Sequence, residues 1–172
     1  STPFPHTTLF RSFKNTAHEK ATAEILSRAL PNVYLSVSNE LVPRLGEYER
    51  SATTVVNAYL GPMVRDYTDM LEQRLGARQL FLLDSCGGVM TPAEAGRAPV
   101  RLMLSGPSGG VTAARYMGEL LGHRNVITFD MGGTSTDVAV ISDGTSGQRK
   151  ETVADKYHLL LPMVDVRAIG AG

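Results

Sequence analysis

The sequence predicts a fold of the α/β class, in which helices and strands alternate along the chain. Helical apolar stripes occur at residues 13–30, 51–75 and 111–121, and apolar runs of strand length separate and follow them. Glycine-rich segments come directly after several of these runs, where ligand-binding loops lie in α/β sheets. The most distinctive of these segments lies within residues 126–141, VITFDMGGTSTDVAVI.

Residues 126–141 hold two apolar runs split by a Gly-Gly turn, which predicts a β-hairpin. Two carboxylates, Asp130 and Asp137, flank a turn of glycine and hydroxyl residues: Gly132, Gly133, Thr134, Ser135 and Thr136. Glycines let a backbone approach a ligand closely, and hydroxyls suit phosphate oxygens. Carboxylates repel a bare phosphate, so the pattern favours a divalent cation between them. A solvated hairpin that binds no ligand is the alternative interpretation, because a short motif is only a hypothesis.

The first half of the chain reads mainly as helix. Thr16 and Glu19 have the spacing of a capping box for a helix over 13–30, and a strand is predicted at 33–37. A second helix is expected to begin near residue 51. We expect Gly61-Pro62 to interrupt it, since proline removes a helical N–H. Asn57 and Tyr59 are polar residues in this helix and are expected to satisfy buried backbone groups, with a direct contact to a substrate as the alternative.

The second half begins with a predicted buried strand at 79–83, followed by a ligand-type loop at 84–88 that contains Cys86. Thr91 to Glu94 forms a capping box with proline at the first helical position. A strand is predicted at 100–104, a glycine-rich turn at 105–110 and a helix from 111. Apolar runs at 157–161 and 163–166 indicate further strands. Cys86 has no histidine near it in sequence, which argues against a catalytic thiol.

Residues 106–110 match G-x-S-x-G, the pattern of a hydrolase nucleophile elbow centred on Ser108. Acids and His158 follow in the order that such hydrolases use. The sequence therefore leaves a serine hydrolase as one alternative.

Composition excludes several classes of protein. The chain has 172 residues, with 17 basic and 17 acidic side chains, so it carries no net charge that favours nucleic acid or an anionic membrane. No apolar run approaches the length of a membrane span. The single cysteine precludes an internal disulfide and fits a reducing, cytoplasmic compartment.

The segment DMGGTSTDVAVI resembles the second phosphate-binding hairpin of the hydantoinase/oxoprolinase family. The pattern E-Y-E-R…T-T-x-x-N-A-Y at 47–59 and the closing I-G-A-G are similar to further family motifs, so the resemblance covers about residues 13–172. That family includes ATP-dependent N-methylhydantoinases, 5-oxoprolinases and acetone carboxylase subunits. The resemblance implies a fragment of an actin/sugar-kinase-like (ribonuclease H-like) nucleotide-binding fold.

The resemblance also implies an ATP-dependent hydrolase that opens cyclic amides by phosphorylating the carbonyl oxygen. Asp130 and Asp137 would hold Mg²⁺ or Mn²⁺ and act in catalysis. Backbone and hydroxyl groups would bind ATP at the hairpin tip and at a second set of positions: Ser105, Gly106, Gly109 and Gly110. The resemblance implies that Ser108 is a tolerated small residue rather than a nucleophile, since alanine is common at that position in the family. Cys86 stands where the family usually has asparagine. A hydantoinase B-type partner subunit or fused domain is also implied.

The resemblance divides the chain at residue 75 into an N-terminal region, 13–75, and the start of the ATP-binding domain, 76–172. Residues 1–12 resemble a translated sequencing adapter, so we expect them to be a non-native leader. We expect an internal fragment that is inactive alone. Two further functions are alternatives. One is an acetone carboxylase-type subunit that acts on a ketone or bicarbonate, and the other is a non-catalytic nucleotide-binding module. The sequence does not predict the substrate or the oligomeric state.

Overall fold

The computed structural model describes residues 6–9, 11–76 and 79–170. They divide between two compact units. Unit 1 comprises Ser1–Leu80, Thr91–Val100 and Glu151–Leu161, and unit 2 comprises Phe81–Met90, Arg101–Lys150 and Pro162–Gly172. Two later segments of the chain belong to unit 1. The predicted division at residue 75, which concerns family regions, stays a prediction.

Five α-helices are described: α1 (Ala17–Ala29), α2 (Ser38–Leu41), α3 (Glu47–Leu75), α4 (Pro92–Arg97) and α5 (Ser105–Leu120). The first strands of the described chain are β1 (His6–Thr7), β2 (Ser36–Val37), β3 (Leu82–Leu83), β4 (Val89–Met90), β5 (Val126–Met131) and β6 (Thr136–Ser142). The later strands are β7 (Thr145–Ser146), β8 (Gln148–Arg149), β9 (Thr152–Ala154), β10 (Tyr157–Leu159), β11 (Met163–Val164) and β12 (Val166–Ile169). Among the described residues, no helix is both long and apolar enough to cross a membrane.

Unit 1 is built around α3, which contacts α4, α2, β2 and the β9–β10 hairpin. The interruption predicted at Gly61-Pro62 is wrong, since α3 runs through both residues as one helix of 29 residues from Glu47. A proline inside a helix costs about 3 kcal/mol, so tertiary packing has to offset it. Gly61 contributes to that packing, because a Cβ there would lie 2.3 Å from Cε1 of Tyr34.

The capping box predicted at Thr16 and Glu19 is also wrong, because the Thr16 side chain makes no capping hydrogen bond. The amide of Ala17, the first residue of α1, donates instead to Asn15 Oδ1 at 3.1 Å. Glu19 is instead fully buried, and its carboxylate accepts hydrogen bonds from Thr7 Oγ1 at 3.1 Å, the Ser38 amide at 2.9 Å and Asn39 Nδ2 at 2.9 Å. Hydrogen-bond donors from distant parts of the chain therefore bind the Glu19 carboxylate, which the local pattern assigned to the start of the helix. Within the predicted leader, residues 6 and 7 form β1, which pairs in parallel with β2.

Glu19 makes the stability of unit 1 depend on pH. Burial raises the pKa of this carboxyl, but the surrounding donors outweigh burial and hold the pKa below its ordinary value. A depressed pKa in the folded state contributes stability above the unfolded pKa, about 4.3, and that stability is lost as pH falls through the folded value. We expect Glu19→Gln to lower the free energy of unfolding by about 1–2 kcal/mol at pH 7. Its unfolding should also vary less with pH below about 4.3.

Urea denaturation between pH 3 and 7 measures both effects, with Glu24→Gln as a matched control on an exposed part of the same helix. Equal acid sensitivity of the parent and the Glu19→Gln chain would contradict this role of the buried carboxylate.

Unit 2 contains a sheet in which β6 is central. β5 pairs with one edge of β6, and β12 and β7 pair with it as well, all antiparallel. One face packs on α5 through a buried cluster of Val111, Ala139, Ile141 and Val164. The opposite face leaves apolar side chains exposed: Ile127, Phe129, Val140 and Ile169.

Three local predictions between residues 79 and 110 are wrong. The strand at 79–83 is reduced to β3, which pairs with β4 and leaves Phe81 and Leu83 exposed rather than buried. Residues Pro99–Leu102 form a 3₁₀ turn in place of a strand. The segment at 105–110 forms the first turns of α5 and not a separate loop. Leu104 adopts a left-handed conformation (φ 55°) and redirects the chain into that helix.

Candidate functional site

The predicted hairpin at 126–141 is confirmed as β5 and β6. Asp130 lies directly opposite Asp137 in the register, and Met131 lies opposite Thr136. The Gly132 amide donates to the Ser135 carbonyl at 2.9 Å, so residues 132–135 form the tip. The structure therefore brings the two carboxylates, the two glycines and the three hydroxyl residues to one end of the hairpin.

The two carboxylates face each other across the ladder. Directly opposed residues of an antiparallel pair project from the same face, with Cβ atoms about 5 Å apart, and opposed like charges are destabilising. A divalent cation between them would remove that repulsion. No group of three or more His, Cys, Asp or Glu side chains that could hold a metal occurs within the described residues. The two opposed carboxylates are of the kind that binds Mg²⁺ when phosphate and water oxygens complete its coordination, and this role stays a prediction.

The tip glycines are not explained by the hairpin itself. Neither Gly132 nor Gly133 has a φ in the left-handed region. A Cβ on Gly133 would meet nothing within 4 Å, and one on Gly132 would meet only the Ser135 carbonyl at an ordinary 3.5 Å. Conformation and packing within the described chain would therefore accept alanine at both positions. Close approach by a group outside the described residues, such as a ligand, is a physical reason for an absent side chain.

The start of α5 holds the other predicted binding positions, namely Ser105, Gly106, Gly109 and Gly110. No side chain caps this helix, and the early N–H groups of an uncapped helix can receive an anion. Gly109 has a structural explanation, because a Cβ there would lie 2.6 Å from Cδ1 of Leu83. Gly106 and Gly110 have open space at the Cβ position. A phosphate role for these positions stays a prediction.

Ser108 does not have the geometry of a nucleophile. Its side chain is buried, and its hydroxyl is within 2.9 Å of the carbonyl oxygens of both Ser85 and Leu104, to which it can donate. A serine nucleophile instead requires an accessible oxygen whose proton points to a general base. The match to G-x-S-x-G therefore reflects the packing of the first turns of α5 in unit 2.

The loop at 84–88 is held by Asp84. Its Oδ1 accepts from the amides of Cys86 and Gly88, both at 2.9 Å, while its other oxygen pairs with Arg101. Burial and the negative charge of Asp84 raise the pKa of the Cys86 thiol, and its Sγ donates to the Pro162 carbonyl at 3.2 Å. A thiol that stays protonated is a poor nucleophile, which agrees with the sequence prediction.

Asn57 confirms the structural role expected of it in unit 1. Its Nδ2 lies within hydrogen-bond distance of the Arg97 carbonyl at 3.1 Å, Ser36 Oγ at 3.0 Å and Tyr34 Oη at 3.2 Å. Its Oδ1 accepts from the Val100 amide at 3.2 Å. Tyr59, predicted to share this role, has an exposed side chain.

Arg50 is a residue whose position the sequence analysis did not anticipate. The side chain is fully buried, its Nη2 donates to the Leu9 carbonyl at 2.8 Å, and its guanidinium lies 5.5 Å from the centre of the Phe13 ring. Within the described residues, Nε and Nη1 have no hydrogen-bond partner. A long charged side chain in a helix gives no sequence signal of such burial, because arginine usually lies at the surface.

These helices and the glycine hairpin define a segment of an actin-like ATPase fold. A family model described as hydantoinase/oxoprolinase matches residues 50–172. The chain belongs to the hydantoinase/oxoprolinase family, as its motifs predicted.

Several curated relatives are enzymes or subunits of enzymes. The chain is 35% identical to the caprolactamase subunit alpha of Pseudomonas jessenii, over 94% of the chain and 24% of that protein. It is 30% identical to the 5-oxoprolinase of Saccharomyces cerevisiae, over 90% of the chain and 12% of that protein. It is 28% identical to the acetone carboxylase beta subunit of Xanthobacter autotrophicus, over 95% and 24%. The chain thus spans about a quarter or less of the length of these relatives.

Two solved structures are similar to the chain. The ATP-dependent caprolactamase from Pseudomonas jessenii matches with a TM-score of 0.82 and 33% identity, over 94% of this chain and 24% of that one. Nucleotide-free acetone carboxylase matches with a TM-score of 0.75 and 26% identity, over 97% and 24%. The fold prediction is therefore confirmed.

Proposed function

We propose that this chain is the phosphate-binding segment of a cytoplasmic ATP-dependent enzyme that opens a cyclic amide of the hydantoin or 5-oxoproline type. The observation that carries the proposal is the hairpin tip. Two glycines there are required neither by conformation nor by packing, and they lie between two opposed carboxylates. A magnesium-bound phosphate chain accounts for both features, because it needs close backbone approach and a cation held by hard oxygens.

The residues of the tip would have distinct tasks in this proposal. Gly132, Gly133 and Thr134 would offer backbone N–H groups to phosphate oxygens, and the exposed hydroxyl of Thr134 would add a donor. The hydroxyl predicted at Thr136 does not join them, because that residue is buried, at 2% exposure. Asp130 and Asp137 would hold Mg²⁺ directly or through water. Magnesium held there would supply positive charge to offset the charge that develops on the transferring phosphoryl group.

The reaction proposed for the complete enzyme begins with transfer of the terminal phosphoryl group of ATP to the carbonyl oxygen of the amide, which releases ADP. The carbon of the phosphorylated carbonyl is a better electrophile, so water adds to it and the C–N bond breaks as the ring nitrogen takes up a proton. The acyl phosphate that results is hydrolysed by a second water to the carboxylate and phosphate. Positioning and electrostatic stabilisation are the protein's contribution in this class of chemistry.

A carboxylase-type subunit that phosphorylates a ketone or bicarbonate is the second candidate. The structural similarity to acetone carboxylase, with a TM-score of 0.75, supports this second candidate. The higher identity to the caprolactamase subunit, 35% against 28% for the acetone carboxylase subunit, supports the cyclic amide as the first candidate. Relatives named as subunits support a hydantoinase B-type partner for the complete protein, or the corresponding domain fused to it.

Nuclear magnetic resonance of the ¹⁵N-labelled chain tests the proposed site. Titration with ATP in the presence of Mg²⁺ is expected to shift the amide signals of residues 132–136, with weaker than micromolar affinity for a single hairpin. ATP without Mg²⁺, and Mg²⁺ without ATP, are expected to give much smaller shifts. Shifts confined to other regions would contradict the proposed site, and micromolar affinity by calorimetry would contradict the expectation that one hairpin binds weakly.

A further inference from the structure

The side chain of Thr128 makes a cross-strand contact inside the glycine hairpin. Thr128 lies on β5, is half-buried, and pairs directly with Ala139 of β6. Its Oγ1 accepts a hydrogen bond from the Ala139 amide at 3.0 Å and lies 3.3 Å from the Ala139 carbonyl oxygen, to which it can donate. One hydroxyl therefore contacts both backbone polar groups of the residue directly opposite it.

This contact borders the two carboxylates of the candidate site. Alternate residues of a strand project from the same face of the sheet. Thr128 comes two residues before Asp130, and Ala139 comes two residues after Asp137, so the two pairs are consecutive on one face of the hairpin. Ala139 also belongs to the buried cluster that packs on α5. The Thr128 hydroxyl thus connects the strand that carries Asp130 to a fixed point of the core of unit 2.

The end of the hairpin near the tip needs such a contact. Backbone hydrogen bonds of an antiparallel ladder have the same pattern in every register, so they do not select one. Asp130 and its strand neighbours Phe129 and Met131 are exposed, so burial of apolar surface holds this end of β5 only weakly. The opposed carboxylates of Asp130 and Asp137 repel each other and favour separation of the strands.

We propose that Thr128 is a positioning residue of the phosphate site, whose hydroxyl keeps Asp130 opposite Asp137 before a cation binds. The inference rests on the proposed function, and Thr128 itself would touch neither magnesium nor nucleotide. Carboxylates that separate in the free chain have to be brought together on binding, and this ordering lowers affinity. A hairpin that is already held in register avoids the loss.

A purely structural hydrogen bond would behave differently from a positioning one. If the contact only stabilised unit 2, its removal would lower the free energy of unfolding, while the molecules that remain folded would bind ATP and Mg²⁺ as before. A positioning residue also controls local opening near the tip and the affinity of the folded chain. Both of these quantities are measurable on the ¹⁵N-labelled chain.

Thr128→Val removes the hydroxyl and keeps the branched shape of the side chain. Without ligand, exchange of the backbone amides of residues 130–137 with solvent is expected to become about two- to tenfold faster, as for the loss of one hydrogen bond. The affinity for ATP in the presence of Mg²⁺, from the shifts of residues 132–136, is expected to fall by about the same factor.

Two control variants separate the hydroxyl from other effects. Thr128→Ser keeps the hydroxyl and is expected to retain the exchange rates and the affinity of the parent within about twofold. Thr145→Val makes the same chemical change at an exposed threonine of β7 in the same sheet, and it is expected to behave as the parent does. Circular dichroism verifies that each variant is folded.

Four results would overturn the inference. Unchanged exchange in the Thr128→Val chain would show that the hydroxyl does not hold this end of the hairpin. Faster exchange with the affinity of the parent would reduce the contact to a structural role, and an equal loss in Thr128→Ser would assign the effect to side-chain shape. An absence of magnesium-dependent shifts in the parent chain would instead overturn the proposed function, and the positioning role with it.

Discussion

Asp137→Asn is expected to abolish magnesium-dependent ATP shifts at residues 132–136 while leaving the unliganded chain at least as stable as the parent. Asp130 and Asp137 lie opposite each other, and removing one of two opposed like charges relieves repulsion on the order of 0.2–1 kcal/mol. The same substitution removes one of the two hard oxygen ligands, so affinity for the magnesium complex should fall at least about tenfold. Loss of binding without loss of stability is the signature of a site rather than of a structural role.

The two effects are measured by the ATP titration described above and by urea denaturation without ligand. Asp155→Asn is the matched control, because Asp155 has a left-handed conformation (φ 55°) that asparagine tolerates. An Asp137→Asn chain that bound the magnesium complex like the parent would contradict the proposed metal ligand. A loss of more than about 1 kcal/mol of stability would show that this carboxylate supports the hairpin.

Asn57→Ala is expected to lower the free energy of unfolding by about 3–5 kcal/mol, because it removes a hydrogen-bond partner from several buried groups at once. The Val100 amide would lose its acceptor and the Arg97 carbonyl would lose one of its donors, both in the interior of unit 1. Tyr34 and Ser36 would each lose a partner as well. Urea denaturation measures the loss.

Asn32→Ala, at an exposed position, provides the control and is expected to change stability by less than about 0.5 kcal/mol. A loss below about 1 kcal/mol for Asn57→Ala would mean that water replaces the amide, and the network would then be less important than its geometry indicates.

Strong local patterns were interpreted correctly wherever the interactions that form them are also local. The capping box of Thr91 and Glu94 forms as predicted, because both partners lie within one helical turn. The hairpin at 126–141 also forms as predicted, since two apolar strands and a glycine turn lie next to each other in sequence.

The incorrect predictions occur where distant residues compete with the local signal. Glu19 lies at capping-box distance from Thr16, yet its carboxylate accepts hydrogen bonds from donors 12 to 20 residues away in the sequence. Pro62 is compatible with α3 because Gly61 allows the Tyr34 ring to pack against the helix. Such contacts cannot be predicted from spacing, since they depend on which segments meet in three dimensions.

The sequence alone determined the family, the α/β class and the residues of the candidate phosphate site, because these are carried by short motifs and local periodicity. Only the tertiary structure decided that Ser108 is a packing residue, that Asp130 faces Asp137 across a ladder, and that the Thr128 hydroxyl contacts the backbone of Ala139. The physical reason is that burial and cross-strand register depend on contacts between residues far apart in the chain.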